Sequence, residues 1–305
     1  MQKRIAVIGL GAMGGAMAAT LVRAGWEVTG FDPSEGARSA AQQQGVRPVD
    51  ALDAIGGVEH AVLSLPNAAL VRSTVPALLE IPALSGIVDT TTSEPGTSRE
   101  MSALAEQRGV AFIDSPVSGG RTGAATGRLS AFIGGTESAV EACAPVLDSL
   151  TGGQYRHLGG PGAGNVVKLI NNALCAANLV TVGEALAIAK AWGVDPQAAV
   201  EGVSSATGSS RVSNTMYPDW VLSGTHDSGF TMGLMARDVH LALEIAGEAG
   251  ERPALLGTVD ALWQQSLADL GGAADFTEIA RAVAPAITEE AAARLNEARN
   301  PGGTR

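Results

Sequence analysis

An apolar run, Arg4–Ile8, leads directly into Gly9-Leu10-Gly11-Ala12-Met13-Gly14 and then into a small-residue segment of helical periodicity. Three glycines at this spacing, between a strand and a helix, constrain the fold more than any other feature of the chain. Gly9 permits a tight turn, Gly11 lets a ligand approach the backbone, and Gly14 lets helix and strand pack closely. The amides that open the helix have no partners within it and are available to an anion such as a pyrophosphate. Two alternatives compete. One is a plain strand–helix turn. The other is a secretory signal, because a basic tip, an apolar run and small residues follow Met1. Only the ligand-binding turn gives the glycine spacing a meaning, so the chain is expected to be cytoplasmic.

Short apolar runs continue to alternate with helical segments. Strands are predicted at Arg4–Ile8, Glu27–Phe31, His60–Leu65, Gly86–Asp89 and Ala111–Asp114. Helices are predicted near Met13–Ala24, Glu35–Gln44, Ala69–Leu79 and Thr97–Arg108. This alternation implies βαβ units and a parallel sheet. Leu129–Ile133 and Tyr155–Leu158, flanking a helix near Glu137–Leu150, extend it. The pattern changes after Gly164. From there to Trp192 runs one helix about 40 Å long, apolar on nearly every face and therefore expected to be buried all round. Everything downstream reads helical. The domains expected are 1–163 and 164–292, with 293–305 as a flexible tail.

Composition narrows the classes. The chain has 305 residues, 46% of them hydrophobic, which is too apolar for disorder. Twenty Lys and Arg against 31 Asp and Glu give a net charge of −11, with no general attraction to nucleic acid or to an anionic membrane. The two cysteines, Cys143 and Cys175, form no CxxC pair and read as small apolar residues. No His, Cys, Asp or Glu spacing suggests a metal.

Asp32 closes the second strand, at about the 20-residue distance expected of a ribose-binding acid. A carboxylate there accepts ribose hydroxyls and repels a 2′-phosphate, which favours NAD over NADP; a turn aspartate before Pro33 is the plainer reading. Asp114-Ser115-Pro116-Val117-Ser118-Gly119-Gly120 follows a strand, and its Gly119–Gly120 amides suit an anion-binding concavity. On the long helix, Gly164, Lys168 and Asn172 lie near one face, with Gly164 leaving room over it. A buried Lys168 would have the lowered pKa that proton transfer needs. A lysine snorkelling from the helix start explains it equally. Arg237-Asp238, beside a helical apolar stripe, reads on its own as a surface ion pair.

Five stretches in one order resemble a single family: GLGAMG at the start, DTTTSEP at Asp89–Pro95, DSPVSGG at Asp114–Gly120, GAGNVVKLINN at Gly162–Asn172, and the pattern Phe230…Arg237-Asp238. The chain is similar to the β-hydroxyacid dehydrogenases, the group of 3-hydroxyisobutyrate dehydrogenase and tartronate semialdehyde reductase. The resemblance implies an α/β Rossmann domain plus an all-α C-terminal domain, joined by a long interdomain helix. It implies Lys168 as general acid/base with Asn172 as its partner. It implies a substrate carboxylate held by Ser118, Gly119 and Gly120, with help from Asn171. The dinucleotide would be lined by Gly9, Leu10, Gly11, Ala12, Met13, Gly14, Asp32, Leu65, Pro66, Thr92 and Arg237. Helical domains pair in this family, so a homodimer or homotetramer is expected.

Two departures bear on the substrate. Arg237 stands where the family usually has lysine, keeping the charge but not the compact geometry. Arg121, after the glycine pair, is unusual and suits a second anionic group such as a carboxylate or sulfonate. The activity implied is NAD-linked interconversion of a small anionic 3-hydroxy acid and its semialdehyde or keto acid. The alternatives are an NADPH-dependent reductase of a small aldehyde acid and a non-catalytic dinucleotide-binding scaffold.

Overall fold

The structure, a computed structural model, describes residues 3–299. The chain divides into two compact units, Met1–Lys168 and Leu169–Arg305.

The first unit holds a nine-stranded sheet. Its strands are β1 (Arg4–Ile8), β2 (Glu27–Phe31), β3 (Arg47–Val49), β4 (His60–Leu63), β5 (Gly86–Asp89), β6 (Ala111–Asp114), β7 (Val117–Ser118), β8 (Ser130–Gly134) and β9 (Tyr155–Gly159). Their order is β3-β2-β1-β4-β5-β6-β8-β7, with β9 paired to β8. The pairings from β3 through β6 are parallel, and β8 runs antiparallel to β6 and β7. The connecting helices are α1 (Ala12–Arg23), α2 (Glu35–Gln42), α3 (Ala68–Leu78), α4 (Pro95–Glu106), α5 (Gly120–Thr126) and α6 (Glu137–Thr151).

A parallel sheet covered on both faces needs strands that are apolar throughout, and β1 shows why. Ile5 and Val7 face one core with Met17 and Leu21 of α1 and with Cys143 and Val146 of α6. Ala6 and Ile8 face the other, with Val71 and Val75 of α3 and Met101 and Ala105 of α4. The apolar run that resembled a secretory signal is thus a central strand. Strands β3 and β7 and helix α5 were not foreseen. β3 contains Pro48, β7 has two residues, and α5 is built on glycine and threonine, so none carries a periodic apolar signal.

Helix α7 (Ala163–Ala191) crosses the boundary into the second unit. There follow α8 (Pro196–Ser204), a π-helical segment Val212–Leu222, α9 (Met232–Glu248), α10 (Leu256–Leu270), α11 (Ala280–Val283) and α12 (Pro285–Arg299). Asp195 caps α8 by accepting from Ala198 N at 3.0 Å. Leu179, Leu186, Tyr217, Val239, Trp263 and Phe276 form the core of this unit.

Two expectations are corrected. Helix α7 is not covered on all sides. Leu174 and Ile188 are 60% and 63% exposed, and Trp192, just past its end, is 84% exposed. They lie on a helical stripe that also includes Ile170. By length and composition α7 is apolar enough to cross a membrane, yet Leu179, Val180 and Leu186 sit in the core of the second unit. Residues 293–299, expected as tail, continue helix α12; Asn300–Arg305 lies outside the described residues.

Candidate active site

The glycine loop leaves β1 at Gly9, whose φ of 89° is in the left-handed region. Gly9 N donates to Phe31 O at 2.8 Å, fixing the loop to the end of β2. Helices α2, α3 and α6 each begin with a side-chain cap, from Ser34, Asn67 and Thr136. Helix α1 does not: Gly11 stands at its N-cap, and no acid occupies its first turn. Gly11 and Ala12 are exposed, while Leu10 is buried and Met13 half-buried. The donors that open α1 therefore suit an external anion, and a Cβ built at Gly11 would meet nothing within 4 Å. These residues fit a dinucleotide pyrophosphate.

Asp32 serves the loop directly. Its carboxylate accepts Leu10 N and Ser34 N, both at 2.8 Å, so the turn role of this aspartate is realised and it also ties down the glycine loop. Arg38, the nearest following cation, donates to the carbonyls of Asp32 and Pro33 at 2.7 and 3.1 Å. Leu65 and exposed Pro66 follow β4, where Leu65 N donates to Thr91 Oγ1 at 3.1 Å, and half-buried Thr92 follows β5. The expected cofactor residues of this unit thus gather at the carboxyl ends of neighbouring parallel strands, where open α/β sheets bind ligands.

Ser118, Gly119, Gly120 and Arg121 lie at the junction of β7 and α5. Gly119 and Gly120 have φ of 118° and 60°, and no side chain caps α5. Both values lie in the left-handed region that favours glycine. Arg121 is exposed.

Lys168 is buried, 8% exposed, in the second turn of α7. The space expected over Gly164 on the same helix does not exist: a Cβ there would fall 2.2 Å from Phe132 O and 2.8 Å from Asp114 Oδ2. Gly164 allows backbone packing rather than ligand access.

In the second unit, buried Asn172 donates from Nδ2 to Asp238 Oδ2 at 2.6 Å, and its Oδ1 accepts Asn171 Nδ2 at 3.1 Å. Arg237 donates to Asp238 Oδ1 from Nε and Nη2 at 3.0 and 2.7 Å. Arg237-Asp238 is thus no surface pair. Asp238 is buried and pins Asn172. Sequence reasoning gave Asp238 no role, although a carboxylate on the apolar side of α9 was the available signal.

Asp114 and Asp89 were also missed as site elements. Asp114, at the end of β6, accepts Gly162 N at 2.7 Å and Asn165 N at 2.9 Å. Burial pushes its carboxyl upward, and those donors pull it back. Its register partner, Asp89 at the end of β5, accepts Thr91 N at 3.0 Å. Asp89 Oδ2 is buried without a hydrogen-bond partner among the described residues. Burial pushes this carboxyl from 3.8 up to about 7. The unfolded chain releases that proton near 3.8, and the folded chain holds it to about 7. In between, the folded state binds more protons, so stability falls as pH rises. Asp89→Asn should flatten that decline between about pH 4 and 7, by on the order of 4 kcal/mol at most. Urea denaturation across this range, compared with the parent, measures it. An unchanged slope would show that Asp89 ionises normally. Among the described residues, no group of three or more His, Cys, Asp or Glu side chains is placed to hold a metal.

A mostly parallel sheet with an uncapped glycine turn at its carboxyl edge, followed by a helical unit, defines the architecture of a dinucleotide-binding protein. Residues 4–159 match the family described as the NAD binding domain of 6-phosphogluconate dehydrogenase. Residues 162–283 match the NAD-binding family of NADP-dependent 3-hydroxyisobutyrate dehydrogenase. The chain is 34% identical to 2-(hydroxymethyl)glutarate dehydrogenase of Eubacterium barkeri, over 82% of this chain and 84% of that protein. It is 32% identical to NAD-dependent L-serine dehydrogenase of Pseudomonas aeruginosa, over 80% and 85%. A solved 3-hydroxyisobutyrate dehydrogenase of Mycobacterium tuberculosis with L-serine superposes with a TM-score of 0.83 at 30% identity, over 92% of this chain and 99% of that one. The chain belongs to the β-hydroxyacid dehydrogenase family and is an NAD(P)-dependent 3-hydroxyacid dehydrogenase acting on CH–OH donors. That sets aside the non-catalytic scaffold.

Proposed function

We propose that this enzyme uses NAD to interconvert a small anionic 3-hydroxy acid and its semialdehyde or keto acid, with Lys168 as general acid/base. The observation that carries this reading is a lysine buried in an apolar helix, one turn before an asparagine that is itself pinned by a buried carboxylate. Ionisable groups held in buried settings gather at functional sites. When bound, the nicotinamide supplies the hydride acceptor or donor. Lys168 Nζ takes the hydroxyl proton in oxidation and returns it in reduction. Asn172 orients the hydroxyl, with Asn171 fixing Asn172. Ser118 and the amides of Gly119 and Gly120 hold the substrate carboxylate. Arg121 meets a second anionic group, a reading favoured by the dicarboxylate in the name of the Eubacterium barkeri relative.

The NAD preference rests on Asp32, whose carboxylate would repel a nearby 2′-phosphate, and on Arg38, which is engaged by two carbonyls. Arg237 serves the cofactor in this reading. The test is a panel of 3-hydroxyisobutyrate, L-serine, 2-(hydroxymethyl)glutarate and a hydroxy sulfonate with each dinucleotide, followed by absorbance of the reduced form. We expect kcat/KM with NAD to exceed that with NADP by about tenfold or more, and a dianionic substrate to be preferred. NADP preference would favour the aldehyde-acid reductase alternative. No activity on any panel member with either dinucleotide would defeat the substrate class.

The exposed apolar stripe on α7 supports a homodimer or homotetramer, since monomers rarely leave such a stripe uncovered. Light scattering should give the mass of two or four chains, and Leu174→Glu with Ile188→Glu should lower it to one. A parent already of single-chain mass would refute this. A cytoplasmic location is part of this reading.

A further inference from the structure

A carboxylate with no solvent sits at the end of β6, enclosed by glycines. A Cβ at Gly134 would lie 2.4 Å from Asp114 Oδ1 and 2.8 Å from Oδ2. A Cβ at Gly164 would lie 2.8 Å from Oδ2. No other side chain fits at either wall. The carboxylate spends both oxygens on the start of α7, accepting Gly162 N and Asn165 N. Helix starts leave such donors unpaired, and a negative charge there also opposes the helix dipole favourably. No residue of α7 itself supplies this acceptor; it comes from a strand 48 residues earlier in the chain.

A second clamp grips the same turn. Asn165 Oδ1 accepts Ser93 N at 3.0 Å, and its Nδ2 donates to Ser98 Oγ at 3.0 Å. Asn165, Ser93 and Ser98 are all buried. The first turn of α7 is therefore fixed to the end of β6 and to the segment that opens α4. Lys168 follows Asn165 by less than one turn, so its Cα inherits the height and rotation set by these bonds.

We infer that Asp114, with Asn165, is a positioning residue for Lys168: the glycine-walled carboxylate sets where α7 begins and so where the lysine amine is presented. This rests on the proposed role of Lys168, and the experiment separates the two. Asp114→Asn keeps the volume and one acceptor but loses the charge and the second acceptor. It is made in the parent and in the Lys168→Ala background, and kcat, substrate KM and dinucleotide affinity are measured for each. In the parent background, kcat should fall at least about tenfold, with KM and dinucleotide affinity within about threefold. In the Lys168→Ala background the same change should lower kcat less than about twofold, because the group it positions is gone. An equal fall in both backgrounds would overturn the positioning role and leave the Lys168 reading intact. Near-normal turnover of Lys168→Ala alone would overturn both. Should Asp114→Asn fail to fold, Ser98→Ala removes one bond of the second clamp and goes through the same cycle, with about threefold expected in the parent and none without Lys168.

Discussion

Lys168→Ala should lower kcat by about 10²–10⁴-fold while dinucleotide affinity stays within about twofold. The dissociation follows from where the parts reside. The glycine loop and Asp32 belong to β1, α1 and β2, with bonds that do not involve Lys168. The amine's contribution is made when the hydroxyl proton moves. Lys168→Arg sharpens the test. Arginine keeps the positive charge but does not release a proton at accessible pH. If charge alone mattered, arginine would restore turnover; if proton transfer matters, it should be nearly as slow as alanine. Steady-state kinetics with a calorimetric titration of the dinucleotide gives both quantities. Turnover near that of the parent in Lys168→Ala would remove this residue from the chemistry.

The second large effect is expected at Gly14. A Cβ there would fall 1.9 Å from Gly9 O and 3.0 Å from Ser64 Cβ, so backbone must move. Gly14→Ala should cost about 2–4 kcal/mol of stability and weaken dinucleotide binding at least about tenfold, because the carbonyl that gives way belongs to the binding loop. Gly11→Ala provides the contrast. Its backbone is extended, with φ −62°, and its Cβ would touch nothing. It should melt like the parent and still bind dinucleotide poorly, because the methyl occupies the ligand's approach. Equal melting of the two variants would contradict the packing role of Gly14. Thermal melts and titrations on the pair decide it.

Much of this was legible in the chain. Strand β1, the glycine turn and Asp32 announce themselves because local pattern and local conformation coincide: an apolar run, a left-handed glycine, an acid closing the next strand. Lys168 stood out as a charge in an apolar helix. The long-range partners were not legible. Asp114 caps a helix that starts 49 residues later, and Asp238 pins Asn172 from a different helix; neither pairing leaves a periodic trace. Gly164 was misread because a glycine on a helix marks close approach without saying of what. The exposed stripe of α7 was misjudged for a related reason. Composition shows that a helix is apolar all round, but not which faces its own chain covers.

The sheet ends in two strands that discourage addition of another. At one margin β3 has three residues and carries Pro48, which has no N–H to offer a newcomer. At the other, β9 carries Arg156 and His157, and the His157 ring already engages the carbonyls of Gly135 and Gly159. Charge and proline at such rims work against edge-to-edge aggregation. Copies of this chain are thereby steered away from joining strand to strand, and any regular assembly is left to surfaces made of helices.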